Sequence, residues 1–375
     1  MIEVKAIEPT RRNLRKYVAF GNSLYKDNPC YVPPLMVDDV NTLSPEKNPA
    51  FDHCEAQCFM AYRDGKPVGR VTGIINPIVN GRTGSADLRF GFVDFIDDAE
   101  VVDALFKAVS DWGRSKGMTS IVGPMGFSDM DHEGMLTFGY DEMGTMATIY
   151  NHPYYVDHME RMGFKKDAGW VEYYVKVPEH IPEKYQRIAD IVKRRENLKV
   201  KKYTSRKKIK EEYGVALFEL INRAYDKLYG YSPLTPRQID YYIEMYLSII
   251  NLDLVTVVTD ADDTLVAIGI SIQSFSDALR KSGGKLFPLG WTHLLKTLRG
   301  KSNAVDLLLI AVAPEYQNKG VNALLFADLI PYYNKYGFEH AETNLELEDN
   351  TAVQNQWAYF DHRLHRRRAT FRKPL

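Results

Sequence analysis

Gln317, Asn318, Lys319 and Gly320 stand between an apolar run, Val305–Val312, and an amphipathic stretch that begins near Val321. With the run as a strand and the stretch as a helix, Gln317–Asn322 sets successive backbone N–H groups at a helix N-terminus. Those groups have no partner inside the helix, and the helix dipole adds partial positive charge to them. Phosphate groups bind such places readily. Gly320 carries no side chain, so a ligand can come close to the backbone there, and Lys319 can add charge. Beyond the helix, Glu342, Asn344, Glu346 and Glu348 alternate along "AETNLELED". A period of two puts them on one face of a strand. Either that face opens on a cleft for a cationic substrate, or the carboxylates line a solvated, splayed edge.

Two similar series of elements must position these residues. The first half reads as a strand over Ile2–Ile7, a helix over Thr10–Leu24 and a hairpin turning at Asp64-Gly65. A strand "LRFGFVDF" follows, then a helix with apolar residues at Val101, Leu105, Ala108, Val109 and Trp112, which is one buried stripe. The strand "TSIVGPM", a short helix and "WVEYYVKV" close this half. The second half runs from a strand at Leu198–Thr204 through helices over Val215–Gly230 and from Pro236. A hairpin turning at Asp260–Asp263, an inserted helix "GWTHLLKTLRG" and the strand before Gln317 come next. The strand "HAETNLEL", the helix "TAVQNQWAYF" and the strand "RRATFRK" complete it. The order of elements occurs twice, which predicts an α/β duplication: a domain over 1–178, a linker with a helix over 179–197, and a domain over 198–375.

The totals bound the function. A chain of 375 residues with 45% hydrophobic and 26% charged residues can bury two full cores. A net charge of −1 argues against a nucleic-acid partner. Cys30, Cys54 and Cys58 are too few for a disulfide framework and lack the second pair of a zinc site, so they read as reduced thiols of a cytoplasmic protein. No run approaches the roughly 18 apolar residues of a membrane span, so no membrane partner is expected.

The order strand, V-x-P-E-Y-Q-x-x-G, helix resembles motif A of the GNAT superfamily, the acetyltransferases that use coenzyme A thioesters. Gln317 and Gly320 match its pattern, while Asn322 departs from the small residue usual there. The resemblance implies two tandem GNAT-like domains, each a mixed, mostly antiparallel sheet flanked by helices, with acetyl-CoA or another acyl-CoA as co-substrate and a small-molecule or peptide amine as acceptor. It implies that the backbone of Ile310, Ala311 and Val312 aligns the pantetheine and that Gln317 to Asn322, with Val321, holds the pyrophosphate. It also puts Asn350 on the cofactor and Asp306 in the place of the base. Glu342, Asn344 and Glu346 would face the substrate. Trp357 stands where a tyrosine commonly protonates the leaving thiolate. An indole N–H is a fixed donor, which leaves Tyr359, about 200° further round a helix, as candidate acid.

The corresponding turn of the first half, "FVDFIDDAEVVDALF", has no glycine and carries Asp97, Asp98 and Glu100. Carboxylates there satisfy the helix dipole and repel a pyrophosphate, so this half is expected to be cofactor-free. Its Gly- and Met-rich segment Gly123–Tyr155 is long enough to shape a binding site, with His132 and His152 read as surface residues. The basic end, Arg363–Lys373, reads either as a solvated last strand or as contacts to the 3′-phosphate of coenzyme A or to RNA. Two alternatives to the acyltransferase stay open: a Fem-like ligase that takes its acyl group from aminoacyl-tRNA, and a scaffold that binds coenzyme A or a partner without turnover.

Overall fold

The computed structural model of the chain describes residues 1–300 and 302–375. The first half forms β1 (Ile2–Ile7), α1 (Arg11–Leu24), α2 (Met36–Thr42), β2 (Glu55–Arg63), β3 (Lys66–Ile75), α3 (Pro77–Thr83), β4 (Asp87–Phe95), α4 (Ala99–Ser115), β5 (Ser120–Gly123), β6 (Met135–Phe138), α5 (Tyr154–Arg161) and β7 (Lys165–Lys176). The second forms α6 (Glu183–Arg195), β8 (Lys199–Lys201), α7 (Arg206–Ala224), α8 (Pro236–Ile249), β9 (Val255–Thr259), β10 (Leu265–Gln273), α9 (Ser276–Ser282), α10 (Gly290–Arg299), β11 (Ala304–Val312), α11 (Asn322–Tyr336), β12 (His340–Thr343), β13 (Glu346–Leu347), α12 (Thr351–Gln354) and β14 (His362–Pro374). The chain divides into two compact units. One holds Met1–Val171, Phe275–Leu295 and Arg366–Leu375, and the other holds Glu172–Ser274 and Lys296–His365.

The pairing pattern is the same in both units. In the first, β1–β2, β2–β3 and β3–β4 are antiparallel and β4–β5 is parallel, with a register shift between Arg70 and Thr72 where β3 meets β4. In the second, β8–β9, β9–β10 and β10–β11 are antiparallel and β11–β12 is parallel, with a shift between Ile270 and Ser271 where β10 meets β11. Each sheet then gains an antiparallel neighbour: β14 beside β5 in the first unit, and the last residues of β7 beside β12 in the second.

Local sequence explains the boundaries. Asp64 and Gly65 both take positive φ, 51° and 76°, and join Arg63 to Lys66 as a two-residue hairpin loop. Thr235 caps α8 in a reciprocal box with Gln238, ahead of Pro236 at the first turn. Gly337, at φ 77°, ends α11 with Phe338 N–H returning to the Tyr333 carbonyl. Two helices depart from the expectation: the one expected over "TAVQNQWAYF" is α-helical only over Thr351–Gln354 and continues as a tighter 3-10 turn over Asn355–Tyr359. The helix expected over Val215–Gly230 runs from Arg206 to Ala224, capped by Ser205. Its first turns, "RKKIKEEY", are too charged to show an apolar stripe, yet Ile209 and Tyr213 are buried.

In the first unit, α4 buries Val101, Leu105, Phe106 and Val109 against the sheet. In the second, α11 buries Leu324, Leu325, Phe326, Leu329 and Ile330, and α6 lays Tyr185, Ala189 and Val192 into the same core. Burying such a face at about 25 cal/mol per Å² of apolar surface is what holds these helices to their sheets.

The basic C-terminal strand is solvated only in part: Arg363 and Arg367 are exposed, while the residues beside them turn inward. Arg366 and Arg368 are 1% and 2% exposed, and they donate to the carbonyls of Met143 and Ile149 in the Gly- and Met-rich segment. Arg372 pairs with Asp87 at 2.6 Å and Asp167 at 3.0 Å. His132 and His152 are half-buried rather than at the surface, since His132 bonds the Met146 carbonyl and His152 stacks on Tyr154. All three cysteines are free thiols, with burial pushing Cys54 up to about 12 and Cys58 to about 11. Among the described residues, no helix is long and apolar enough to cross a membrane.

Candidate functional site

The site begins where two parallel strands part. β11 and β12 stay in register from Ala304↔His340 to Leu307↔Thr343, and there the ladder stops. β11 continues to Val312, while the segment after β12 leaves at Asn344 and re-forms as β13 against β7. A gap therefore opens along β11 from Leu308 to Val312. Its backbone carbonyls on that side meet side chains. The Asn344 amide donates to Leu308 at 3.0 Å, the Tyr225 hydroxyl to Ile310 at 2.9 Å and the Gln317 amide to Val312 at 3.1 Å. Ala313 N–H bonds Val266 on the β10 side, so alternation turns the Ile310 and Val312 N–H groups toward the gap and leaves Ala311 facing β10.

The turn lies at the end of the same strand. Pro314–Tyr316 make one tight helical turn, Asn318 and Gly320 take φ 60° and 85°, and α11 starts at Asn322. Backbone bonds hold the N–H groups of Gln317, Lys319, Ala323 and Leu324. Among the described residues none holds those of Asn318, Gly320, Val321 or Asn322. Four donors at the mouth of a 15-residue helix suit an anion of phosphate type. Two expectations change here. A Cβ on Gly320 would meet Ile188 at 3.0 Å and Val192 at 3.3 Å, so the glycine serves its left-handed backbone and the close approach of α6. The Lys319 ammonium is held by Glu196 at 3.0 Å, away from a free role beside the turn. Asn322 donates to the Gln356 side chain at 3.2 Å and so joins the turn to the segment carrying Trp357.

The carboxylates do not share one face, because "HAETNLEL" breaks at Asn344 and Leu345. Glu342 lies in register with Asp306 on one side and Tyr174 on the other. Its carboxyl group lies 3.0 Å from the His365 ring and 3.5 Å from the His340 ring, while Asp306 is 3% exposed. This buried acid–histidine group sits one residue before the strands part. Burial lowers the His340 pKa. Asn344 caps the gap, and Glu348 is exposed.

Glu346 is the most altered of the acids. It is buried, its Oε1 accepts from the Trp357 indole at 2.8 Å, and its Oε2 has no hydrogen-bond partner among the described residues. Burial pushes its pKa up to about 7, against the lowering effect of the indole. Asn350 caps α12, its side chain accepting from Val353 N–H. Tyr359 is turned to the surface, its ring under the Lys184 ammonium at 4.5 Å, while Trp357 points into the core. The candidate acid read from the sequence thus lies on the wrong side of its segment, and Glu346 with Trp357 holds the inner side.

Sequence reasoning missed Tyr225, Glu196, Gln356 and His365. The first two lie far from the motif in sequence and carry no pattern of their own. His365 sits in a run of basic residues that hides it. In the first unit, Asp98 caps α4 by accepting from Glu100 N–H at 3.0 Å and Val101 N–H at 3.2 Å, and it pairs with Arg63 at 2.7 Å. Asp97 bonds His158 at 2.9 Å. That turn has filled its own donors. Among the described residues, no group of three or more His, Cys, Asp or Glu could hold a metal ion.

No protein-family model matches the chain. It is 26% identical over 351 residues to protein YghO of Escherichia coli, covering 92% of this chain and 88% of that protein. It is 28% identical over 316 residues to the bacterial ceramide synthase of Caulobacter vibrioides, covering 82% and 80%. Among solved structures, a tandem GNAT protein from the clavulanic acid biosynthesis pathway matches with a TM-score of 0.59 at 13% identity, over 100% of this chain and 98% of that one. A GCN5-related N-acetyltransferase from Sphaerobacter thermophilus matches with a TM-score of 0.52 at 10% identity, over 100% and 95%. The chain has a tandem GNAT-like fold.

Proposed function

We propose that the second unit is an acyl-CoA-dependent N-acyltransferase and that the first is a cofactor-free companion. The observation that carries this reading is the gap along β11 running into a turn with four unengaged N–H groups. A thioester lying in the gap would meet the Ile310 and Val312 N–H groups, and a fixed N–H aimed at its carbonyl oxygen stabilises the charge that develops there. The pyrophosphate would take the Asn318–Asn322 donors, with Asn350 nearby on the cofactor. Coenzyme A supplies the activated acyl group and the thiolate leaving group. The amine nitrogen forms the new C–N bond as the C–S bond breaks.

Two protons must move. The group of Asp306, Glu342 and His365 is the candidate acceptor for the proton leaving the amine, and its two carboxyl groups suit an amine acceptor. Glu346 replaces the missing tyrosine as candidate donor to the thiolate: with a pKa of about 7 it holds a proton through half of its population at neutral pH. Much of the rate comes from holding amine and thioester together. The similarity to a bacterial ceramide synthase supports a long-chain amine as acceptor and a long acyl chain as donor. The test is turnover of acetyl-CoA and a long-chain acyl-CoA with a sphingoid base and with small amines, followed as free thiol. Thiol release with any amine supports the reading. Binding without release for every acceptor would leave a scaffold.

A further inference from the structure

We propose that Lys281–Arg299 is an interfacial arm by which the protein docks on an anionic phospholipid surface. The inference is independent of the acyl-CoA reading. From Ala278 to Val305 the chain has no Asp or Glu but carries Arg280, Lys281, Lys285, Lys296, Arg299 and Lys301, in a protein whose net charge is −1. The same stretch exposes Phe287 (78%), Leu289 (67%), Trp291 (45%) and Leu298 (41%). On α10, Trp291, Leu294, Leu295 and Leu298 follow at i, i+3, i+4 and i+7 and share one face. None of the helix's residues is buried. Lys281, Lys285, Lys296 and Arg299 meet no carboxylate among the described residues.

The root of the arm is fixed. Ala278 and Leu279 are buried, Gly284 takes φ 70°, and its carbonyl accepts from Met36 N–H at 2.9 Å. A Cβ at Gly284 would lie 2.2 Å from the Pro34 carbonyl oxygen, so only glycine fits. Beyond this anchor Phe287, Leu289, Trp291 and Leu298 are exposed, while Leu286, Leu294 and Leu295 are half-buried. A short helix with aromatic and leucine residues on one face and cations around it lies in the plane of a bilayer surface rather than across it. The cations match the negative potential of anionic lipid. A second copy would bring the same cations to a two-fold contact, where they repel.

The test uses the full chain with vesicles of phosphatidylcholine alone and of phosphatidylglycerol-rich composition, read by co-sedimentation and tryptophan fluorescence. Trp170 and Trp357 are buried and Trp112 is half-buried against the first unit's core, so Trp291, the exposed one of the four, should carry most of a blue shift. Binding is expected to the anionic vesicles only, with the shift lost in Trp291→Phe. Replacing Lys285, Lys296 and Arg299 by glutamate should weaken binding about a hundredfold or more. Phe287→Ser with Leu289→Ser should weaken it about tenfold or more. Thermal melting checks that these surface variants keep the fold. No binding to anionic vesicles at low salt overturns the proposal. So does binding that the two serine changes leave untouched, or a dimer or acidic-protein complex that those changes abolish while vesicle binding persists.

Discussion

Glu346 decides most at the scale of single residues. Its folded pKa of about 7 lies above the ordinary value near 4.5, so the folded chain binds the extra proton between those limits. Stability from this group is therefore fullest at low pH and falls as pH rises through about 7, by roughly 3 kcal/mol in all. Glu346→Gln should raise the melting temperature relative to the parent at about pH 8 and lose that advantage near pH 5. An equal difference at both would show that Glu346 is not held protonated. As proton donor to the thiolate, it should also make kcat fall above about pH 7, a fall the Gln variant should lack. Trp357→Phe removes the donor to Oε1 and should cost about 1–3 kcal/mol, measured by denaturant unfolding. It should also shift the kcat decline to higher pH. The sequence named Glu346, but as one of a row facing substrate. Its altered chemistry comes from burial against an indole eleven residues away, which alternation along a strand does not reveal.

At the scale of elements, the turn and helix α11 were legible because their signals are local. Gln317, Gly320 and the apolar strand before them are contiguous, and the left-handed φ of Gly320 is one that favours glycine. What the sequence could not show was what else fills the space. The contact of Gly320 with α6, the Glu196 partner of Lys319 and the Tyr225 hydroxyl on Ile310 all come from segments far along the chain. They also change the choice of test. A side chain at Gly320 would strain the backbone and collide with Ile188, so loss of binding there would be ambiguous. Asn322→Asp is the better probe. A carboxylate in the first turn of α11 favours the helix by about 0.3–1 kcal/mol, yet puts negative charge beside the N–H groups proposed to take a pyrophosphate. Coenzyme A affinity should fall at least about tenfold with the melting temperature held within a few degrees. Leu325→Ala, in the fully buried face of the same helix, should instead cost about 2–5 kcal/mol in unfolding measurements.

For the whole molecule, the duplicated pairing order was visible as a repeated sequence of elements. The assignment of residues to each unit was not. Arg366–Leu375 belongs with the first unit and Glu172–Lys176 with the second, because an exposed sheet edge can be completed by a strand from anywhere in the chain. The fully buried Arg366 and Arg368 follow from that and defeat any reading of the terminus as a solvated tail. The two units differ in one decisive respect: Asp98 accepts from the first helix donors, Glu100 and Val101 N–H, in the first unit. The most direct test is isothermal titration of the full chain with acetyl-CoA and with a long-chain acyl-CoA, beside Asn322→Asp and an Asp97→Ala/Asp98→Ala variant. The account predicts one site per chain in the parent, one site in the double alanine variant, and weakened binding in Asn322→Asp. No binding of either thioester, or affinity unchanged by Asn322→Asp, would contradict it.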